Sequence, residues 1–178
     1  ILYVLFTTGI RKSELINLKL KNYKKMGNES IFELKAKGGK YLTKVIHPEC
    51  SRIIDEYLEN LRSSDNTQEL LHPEDWLFRP TKNPKNPGEL IKPLCTKSID
   101  YIVKIHCKKI GIMKRISVHS ARASYIGSAL ENGADLWKIS KDVGHSSVRT
   151  TEEYNKRRLK LNDSPVYHLG FLKNQTKD

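Results

Sequence analysis

One stretch of this 178-residue sequence has the pattern of a β-hairpin, and most of the remainder has the pattern of helices. Apolar and polar side chains alternate over residues 31–36 and again over residues 41–46, with Gly38 and Gly39 between them. Such alternation is typical of strands with one buried face, and two glycines supply the positive φ angles that short hairpin turns require. The sequence therefore predicts a small antiparallel sheet with a two-residue turn at these glycines.

Helical patterns lie on both sides of the predicted hairpin. An apolar segment, residues 1–6, ends before Gly9, and Pro48 begins an amphipathic segment. Further helices are predicted where a capping side chain precedes a periodic apolar pattern, and these caps are Thr96, Ser117, Asp135 and Ser147. Residues 63–95 are rich in proline and predict loops, with residues 76–78 as a short strand or a plug in the core. The predicted fold class is α+β, mainly helical, with a small antiparallel β-sheet.

Basic residues outnumber acidic ones by 32 to 20, which gives a formal net charge of +12. Residues 1–95 carry 16 basic and 12 acidic groups, whereas residues 96–178 carry 16 and 8. This excess fits a polyanionic partner, of which nucleic acid is the usual one, and it favours the second half of the chain for phosphate contact. The side chains that we expect to contact such a partner are Lys35, Lys40, Lys108, Lys109 and Arg115.

Several classes of site lack support in the sequence. Three cysteines are scattered without a Cys-x-x-Cys spacing, so neither a disulfide framework nor a zinc ribbon is indicated. Carboxylates show no obvious cluster for Mg²⁺, and no glycine-rich nucleotide-binding pattern occurs, so we expect neither a metal nor a cofactor. The longest apolar run, residues 1–6, is too short to span a bilayer, and we expect a cytoplasmic protein with no membrane partner.

Four segments carry side chains that suit chemistry on a phosphodiester. They are TTGIRKSEL at 7–15, AKGGK at 36–40, HSAR at 119–122 and GHSSVRTTEEY at 144–154. The candidate catalytic residues within them are Arg11, Lys37, His119, Arg122, His145 and Tyr154. Each residue alone has an ordinary structural explanation, such as a solvated helix arginine or a half-buried core tyrosine. Their value as evidence lies in their order along one chain.

Taken in that order, the segments resemble the catalytic domain of the tyrosine recombinase (phage integrase) family. That family carries an Arg in a TGxR-x-SE segment, a Lys at a β-hairpin, a His-x-x-Arg helix, and a Gly-His followed by a Tyr. Here Tyr154 follows His145 by nine residues, as in the family, and Lys37 follows Arg11 by 26, which is close to the family's usual gap. One departure is Ala123, where the family usually has a second His after the helix arginine.

The resemblance implies a site-specific recombinase or integrase of a mobile element that breaks and rejoins DNA. Tyr154 would be the nucleophile and would form a 3′-phosphotyrosine intermediate, which splits the exchange into two reversible steps. Arg11 and Arg122 would stabilise the phosphoryl oxygens, for which the planar, permanently charged guanidinium is suited. Tyr167 is an alternative nucleophile, although no Gly-His precedes it at the family's spacing.

The resemblance also implies which side chains transfer protons or bind the phosphate. Lys37 would be the general acid that protonates the leaving 5′ oxygen, with Lys35 and Lys40 as nearby alternatives. His119 would assist proton transfer at the attacking tyrosine, and His145 would hydrogen-bond the scissile phosphate. An imidazole suits either task near neutral pH.

At the level of domains, the resemblance implies a catalytic domain over residues 1–160 and a C-terminal tail over residues 161–178. That tail would pass to a neighbouring protomer in a tetramer on double-stranded DNA, and the family's N-terminal DNA-clamping domain would be absent from this chain. Two alternatives stay open. One is a type IB topoisomerase-like activity, which uses similar chemistry, and the other is a non-catalytic DNA-binding remnant.

Overall fold

The computed structural model describes residues 1–35, 41–64, 71–80 and 92–156. Its helices, in chain order, are α1 (Leu2–Thr8), α2 (Lys12–Ile16), α3 (Pro48–Ser64), α4 (Thr96–Lys109), α5 (Val118–Glu131), α6 (Leu136–Asp142) and α7 (Val148–Lys156). A short 3₁₀ turn at Leu20–Asn22 precedes three strands, which are β1 (Tyr23–Met26), β2 (Glu29–Lys35) and β3 (Tyr41–Ile46). They form one antiparallel sheet in the order β1-β2-β3. The mainly helical fold with a small antiparallel sheet is therefore confirmed.

The register of β2 with β3 corrects the predicted hairpin turn. Lys35 pairs with Tyr41, which leaves residues 36–40 between the paired ends, whereas a two-residue turn at the glycines would pair Lys35 with Leu42. Leu42 instead lies opposite Leu34, and both pack on the core. Opposite residues share a face of a sheet, so burial of this face sets the register. The prediction of a two-residue turn is wrong, and residues 36–40 themselves lie outside the described part of the chain.

Strand β1 lies at an edge of the sheet and was not predicted. Its four residues have no alternating apolar pattern, and its last three side chains are exposed. Lys24 pairs with Glu33 of β2 at 2.7 Å, and charged side chains of this kind protect an edge strand from pairing with other chains. An edge strand without an apolar face leaves little local signal in the sequence.

Three of the four predicted capping side chains, Ser117, Asp135 and Ser147, directly precede a helix in the structure. Ser117 and Asp135 each accept a hydrogen bond from the backbone N–H three residues later, at the starts of α5 and α6. Helix α4 is the exception, because its cap is Cys95, whose Sγ lies 3.4 Å from the Ser98 N–H. The prediction of Thr96 as the cap is therefore wrong. Cys95 has extended backbone angles, and Thr96 is already the first helical residue.

The main core lies between α1, the inner face of the sheet, α3 and α4. Its fully buried side chains include Leu5, Leu15, Phe32, Leu77, Ile99 and Val103. Of the predicted strand or plug at residues 76–78, Leu77 and Phe78 are buried in the core, whereas Trp76 is half-buried and forms an isolated β-bridge with Lys19. A second, smaller cluster of Ile126, Ile139 and Val143 packs against Tyr154, and it joins α5, α6 and α7 beside the main core.

Candidate active site

The turn between α1 and α2 places Arg11. Gly9 has a φ of 57°, and a Cβ there would lie 2.6 Å from Cδ1 of Tyr125, so this turn accommodates glycine alone. The Arg11 N–H donates to Glu14 Oε2 and its Nη1 donates to Glu14 Oε1, both at 2.8 Å. Its Nη2 donates to the carbonyl of Gly144 at 2.6 Å. These bonds hold a side chain that is still 41% exposed, so part of the guanidinium faces solvent.

Arg122 lies on α5 and is almost fully buried. Its Nη1 donates to the carbonyl of Gly9 at 2.6 Å, and its Nη2 donates to the carbonyl of Val143. Burial, and then the nearby charge of Arg11, lower the pKa of this guanidinium from its very high ordinary value. Two backbone carbonyls thus orient a buried cation between the α1–α2 turn and the end of α6.

His145 follows α6 and is oriented by α7. Its Nδ1 lies 2.7 Å from Oγ1 of Thr151, a residue that is fully buried. Burial, followed by the charges of Arg122, Arg11 and His119, lowers the pKa of His145 to about 4. The ring is therefore neutral at neutral pH. Thr151 lies within the motif that contains both His145 and the tyrosine, but no site role was predicted for it from the sequence.

His119 lies on the exposed side of α5, one turn before Arg122. A cavity of about 250 Å³ opens there, and its lining includes Arg11, His119 and Arg122. At its rim, Lys12 forms an ion pair with Asp100 at 2.9 Å, which ties α2 to α4. The cavity therefore has one anionic side chain among several basic ones, which favours an anionic ligand.

Tyr154 lies on α7, half-buried against the apolar cluster of Ile126, Ile139 and Val143. Helix α7 packs against α5, which carries Arg122, and against α6, which ends just before His145. The fold thus brings together five of the six residues that the resemblance marks as catalytic. Their roles remain predictions.

The sixth candidate, Lys37, lies outside the described residues, as do Lys40, Tyr167 and the tail over residues 161–178. The predicted phosphate-contacting residues that the structure describes are all exposed, and they are Lys35, Lys108, Lys109 and Arg115. Across the described ranges, no three His, Cys, Asp or Glu side chains lie close enough to hold a metal ion together. No helix within those ranges is long and apolar enough to cross a membrane.

Sequence reasoning missed a buried polar cluster behind the site. Lys44 of β3 is 1% exposed, and its Nζ donates to Oδ2 of Asp142 at 2.7 Å and to the Asp142 carbonyl at 2.8 Å. The Tyr125 hydroxyl donates to the same Oδ2 at 2.8 Å. One signal was present in the sequence, because strand alternation puts Lys44 on the same face as Leu42 and Ile46. A lysine in that position needs a buried partner.

Comparison with known proteins assigns the chain to a family. The model of the phage integrase family matches residues 1–160. Tyrosine recombinase XerC of Pelobacter propionicus is 30% identical over 154 residues, which cover 86% of this chain and 45% of that protein. Tyrosine recombinase XerD of Staphylococcus aureus is 30% identical over 160 residues, which cover 86% of this chain and 48% of that protein. The chain thus spans less than half the length of these relatives.

Solved structures agree with the sequence relatives. The crystal structure of XerA recombinase superposes with a TM-score of 0.68 at 28% identity, and covers 99% of this chain and 57% of that chain. XerH recombinase bound to its difH substrate has a TM-score of 0.67 at 21% identity, over 86% of this chain and 41% of that chain, which supports the fold alone. Since the family model spans nearly the whole chain, this protein belongs to the phage integrase family.

Proposed function

We propose that this chain is the catalytic part of a site-specific tyrosine recombinase, which cleaves and rejoins double-stranded DNA through a 3′-phosphotyrosine at Tyr154. The observation that carries the proposal is the convergence of basic side chains beside the helix of that tyrosine. Arg122 donates a hydrogen bond to the carbonyl of Gly9, 113 residues earlier in the chain and in the turn before Arg11. The charges of both arginines contribute to the lowered pKa of His145. Clustered cations repel one another, and a bound phosphate relieves that repulsion.

The proposed reaction uses these residues together with Lys37. The phenol oxygen of Tyr154 attacks the scissile phosphorus, the bond from phosphorus to the 5′ oxygen breaks, and a 3′-phosphotyrosine forms. Arg11 and Arg122 stabilise the negative charge that develops on the non-bridging oxygens. His119 assists removal of the phenol proton, and Lys37 supplies a proton to the leaving 5′ oxygen. Attack by a 5′ hydroxyl on the phosphotyrosine reverses these steps and rejoins the strand.

We propose that His145 acts as a hydrogen-bond donor to the phosphate, which agrees with its lowered pKa and with its contact to Thr151. When the Thr151 hydroxyl donates to Nδ1, which lies 2.7 Å away, the neutral ring carries its proton on Nε2. That Nε2–H is then available to a phosphate oxygen. A neighbour that fixes the tautomer of a histidine in this way is a common feature of functional sites.

We extend the proposal to assembly and location. Residues 1–160 form the catalytic domain, and residues 161–178 form a tail that docks on a neighbouring protomer in a tetramer on DNA. XerH is described in complex with its difH substrate and the Tn1549 integrase in complex with a circular intermediate DNA, which supports double-stranded DNA as the partner. We also propose a cytoplasmic location, where the DNA of a bacterial host would be accessible. Deletion of residues 164–178 should lower the number of protomers bound per DNA molecule, and unchanged stoichiometry would contradict the exchange.

The test of the activity is covalent trapping on a nicked half-site duplex drawn from the element that encodes the chain. Cleavage beside the nick releases a short strand segment, which cannot be rejoined to the DNA. The protein–DNA adduct therefore accumulates, and it is detected on a denaturing gel. We expect an adduct with this half-site and none with a scrambled duplex. Relaxation of any supercoiled plasmid would favour topoisomerase-like activity instead, and absence of an adduct on the cognate site would favour a non-catalytic remnant.

A further inference from the structure

The end of helix α6 binds three cationic side chains through three consecutive carbonyl groups. In chain order, these carbonyls belong to Asp142, Val143 and Gly144. Their donors, in the same order, are Nζ of Lys44, Nη2 of Arg122 and Nη2 of Arg11. Two of the three donors are therefore the arginines of the proposed site, and the third is a buried lysine of β3.

The way in which α6 ends explains why these carbonyls accept from side chains. The N–H of His145 donates to the carbonyl of Ser140 at 2.9 Å, and the N–H of Gly144 donates to the carbonyl of Lys141 at 3.0 Å. With Gly144 at a φ of 64°, this is a Schellman motif, in which the backbone itself satisfies the carbonyls of Ser140 and Lys141. The next carbonyls lie at the negative end of the helix dipole, where cationic donors are favoured.

Lys44 makes a second bond at this end of α6. Its Nζ also donates to Oδ2 of Asp142 at 2.7 Å, and the Tyr125 hydroxyl donates to the same oxygen at 2.8 Å. Buried ion pairs are seldom more stabilising than apolar side chains of similar volume, so stability alone does not account for this pair. The pair does impose direction, because an ammonium bound to both the carboxylate and the carbonyl of Asp142 fixes the position of that residue.

We propose that Lys44 and Asp142 are positioning residues for the two arginines of the site. They fix the end of α6, and the next two carbonyls of the chain then hold the guanidinium groups in place for a phosphate. Each guanidinium uses two bonds to protein acceptors, and a guanidinium has five N–H donors, so donors are left for the phosphate. This inference rests on the proposed function, in which both arginines bind the scissile phosphate.

A double substitution separates positioning from stability. Lys44→Met combined with Asp142→Asn leaves no unpaired buried charge, nearly keeps both volumes, and keeps an oxygen that accepts from Tyr125. Because removal of both charges of a buried pair is often close to neutral, the melting temperature should stay within about 4 °C of the original value. The matched control combines Lys24→Met with Glu33→Gln, which removes an ion pair of 2.7 Å between β1 and β2.

A neutral scissile group shows whether the arginines are what the double substitution disturbs. In a methylphosphonate half-site, a methyl group replaces one non-bridging oxygen of the scissile phosphate, so the group carries no negative charge and less charge develops during the attack. The placement of the arginines therefore matters less on this substrate. Single-turnover adduct formation is measured on the phosphate and methylphosphonate half-sites for the original chain, the double variant and the control.

We expect the double variant to form the adduct about 10- to 100-fold more slowly than the original chain on the phosphate half-site, since misplaced groups lose rate on this scale. On the methylphosphonate half-site, its rate should lie within about threefold of the original chain. The control should match the original chain on both. Equal loss on both half-sites, or no loss on the phosphate one, would overturn the proposal. Asp142→Asn alone is measured in the same way if the double variant does not fold.

An equilibrium measurement covers a methylphosphonate half-site that is cleaved too slowly to follow. In a Tyr154→Phe background, replacing the phosphate by methylphosphonate should weaken DNA binding by the original chain, because the arginines then hold a neutral group. The same replacement should change binding by the double variant much less. Equal weakening in both would overturn the positioning role.

Arg11→Ala distinguishes failure of this inference from failure of the proposed function. It removes a guanidinium itself, so its loss of rate should also be much smaller on the methylphosphonate half-site. If methylphosphonate restores Arg11→Ala but not the double variant, the positioning role is overturned and the phosphate-binding role of Arg11 stands. If it restores neither, Arg11 does not act on the charge of the scissile phosphate, and the proposed chemistry fails together with this inference.

Discussion

Replacement of Gly9 by alanine tests how the α1–α2 turn and α5 fit together beneath the site. The turn has a φ of 57°, a left-handed conformation that disfavours an L-residue by about 1–2 kcal/mol. A Cβ there would also lie 2.6 Å from the Tyr125 ring, about 1 Å inside an ordinary carbon–carbon contact. Overpacking of this kind costs about 1–3 kcal/mol. Gly9→Ala should therefore lower the free energy of unfolding by about 2–5 kcal/mol.

Gly27→Ala is the matched control, because Gly27 has a φ of 59° but no atom within 4 Å of its Cβ position. It carries the backbone penalty alone. At about 2–4 °C per kcal/mol for a chain of this size, Gly9→Ala should melt about 2–12 °C below Gly27→Ala in a calorimetric or circular dichroism scan. Half-site cleavage should fall in Gly9→Ala alone, since displacement of Tyr125 disturbs its bond to Asp142. Equal melting temperatures for the two variants would refute the proposed packing of Gly9 on Tyr125.

Three further predictions concern the chemistry and the DNA contact. The His145 ring should titrate with a pKa near 4 by NMR, and a midpoint near 6.5 in the folded protein would contradict this. The free energy of unfolding should fall as the pH decreases from about 6.5 toward 4, because only the unfolded chain takes up the proton in that range. Cleavage of the half-site should survive excess EDTA, because arginines supply the positive charge that stabilises the phosphoryl oxygens. Loss of cleavage in EDTA that Mg²⁺ reverses would indicate a metal-dependent site. Replacing both Lys108 and Lys109 by alanine should reduce the slope of log Kd against log salt by about 2, and an unchanged slope would remove the end of α4 from the DNA contact.

Local patterns were enough to predict most helices. Caps such as Ser117 and Asp135 act within three residues, so their signal is contained in a short window. The order of the motifs also identified the residues that the fold brings together around Tyr154. These features could be predicted because each depends on residue types at short spacing, or on the order of such segments along the chain.

Features set by distant packing could not be predicted in the same way. The register of the hairpin depends on which face of β2 meets the core, and a two-residue turn was inferred from the glycines alone. The hydrogen bond from Lys44 to Asp142 joins residues that are 98 positions apart, and neither residue belongs to one of the four motif segments. The contact of His145 with Thr151 depends on how α7 packs against the end of α6. Side-chain partners of this kind are settled by the tertiary structure.

If Tyr154 is the nucleophile, it becomes covalently joined to DNA, and mapping of the protein–DNA adduct identifies the residue that carries the link. The half-site adduct is digested with a protease and a nuclease, and the modified peptide is identified by mass spectrometry, beside Tyr154→Phe and Tyr167→Phe variants. We expect a nucleotide-linked Tyr154 in the original chain, no adduct in Tyr154→Phe with DNA binding retained, and a normal adduct in Tyr167→Phe. An adduct that persists in Tyr154→Phe and disappears in Tyr167→Phe would contradict it.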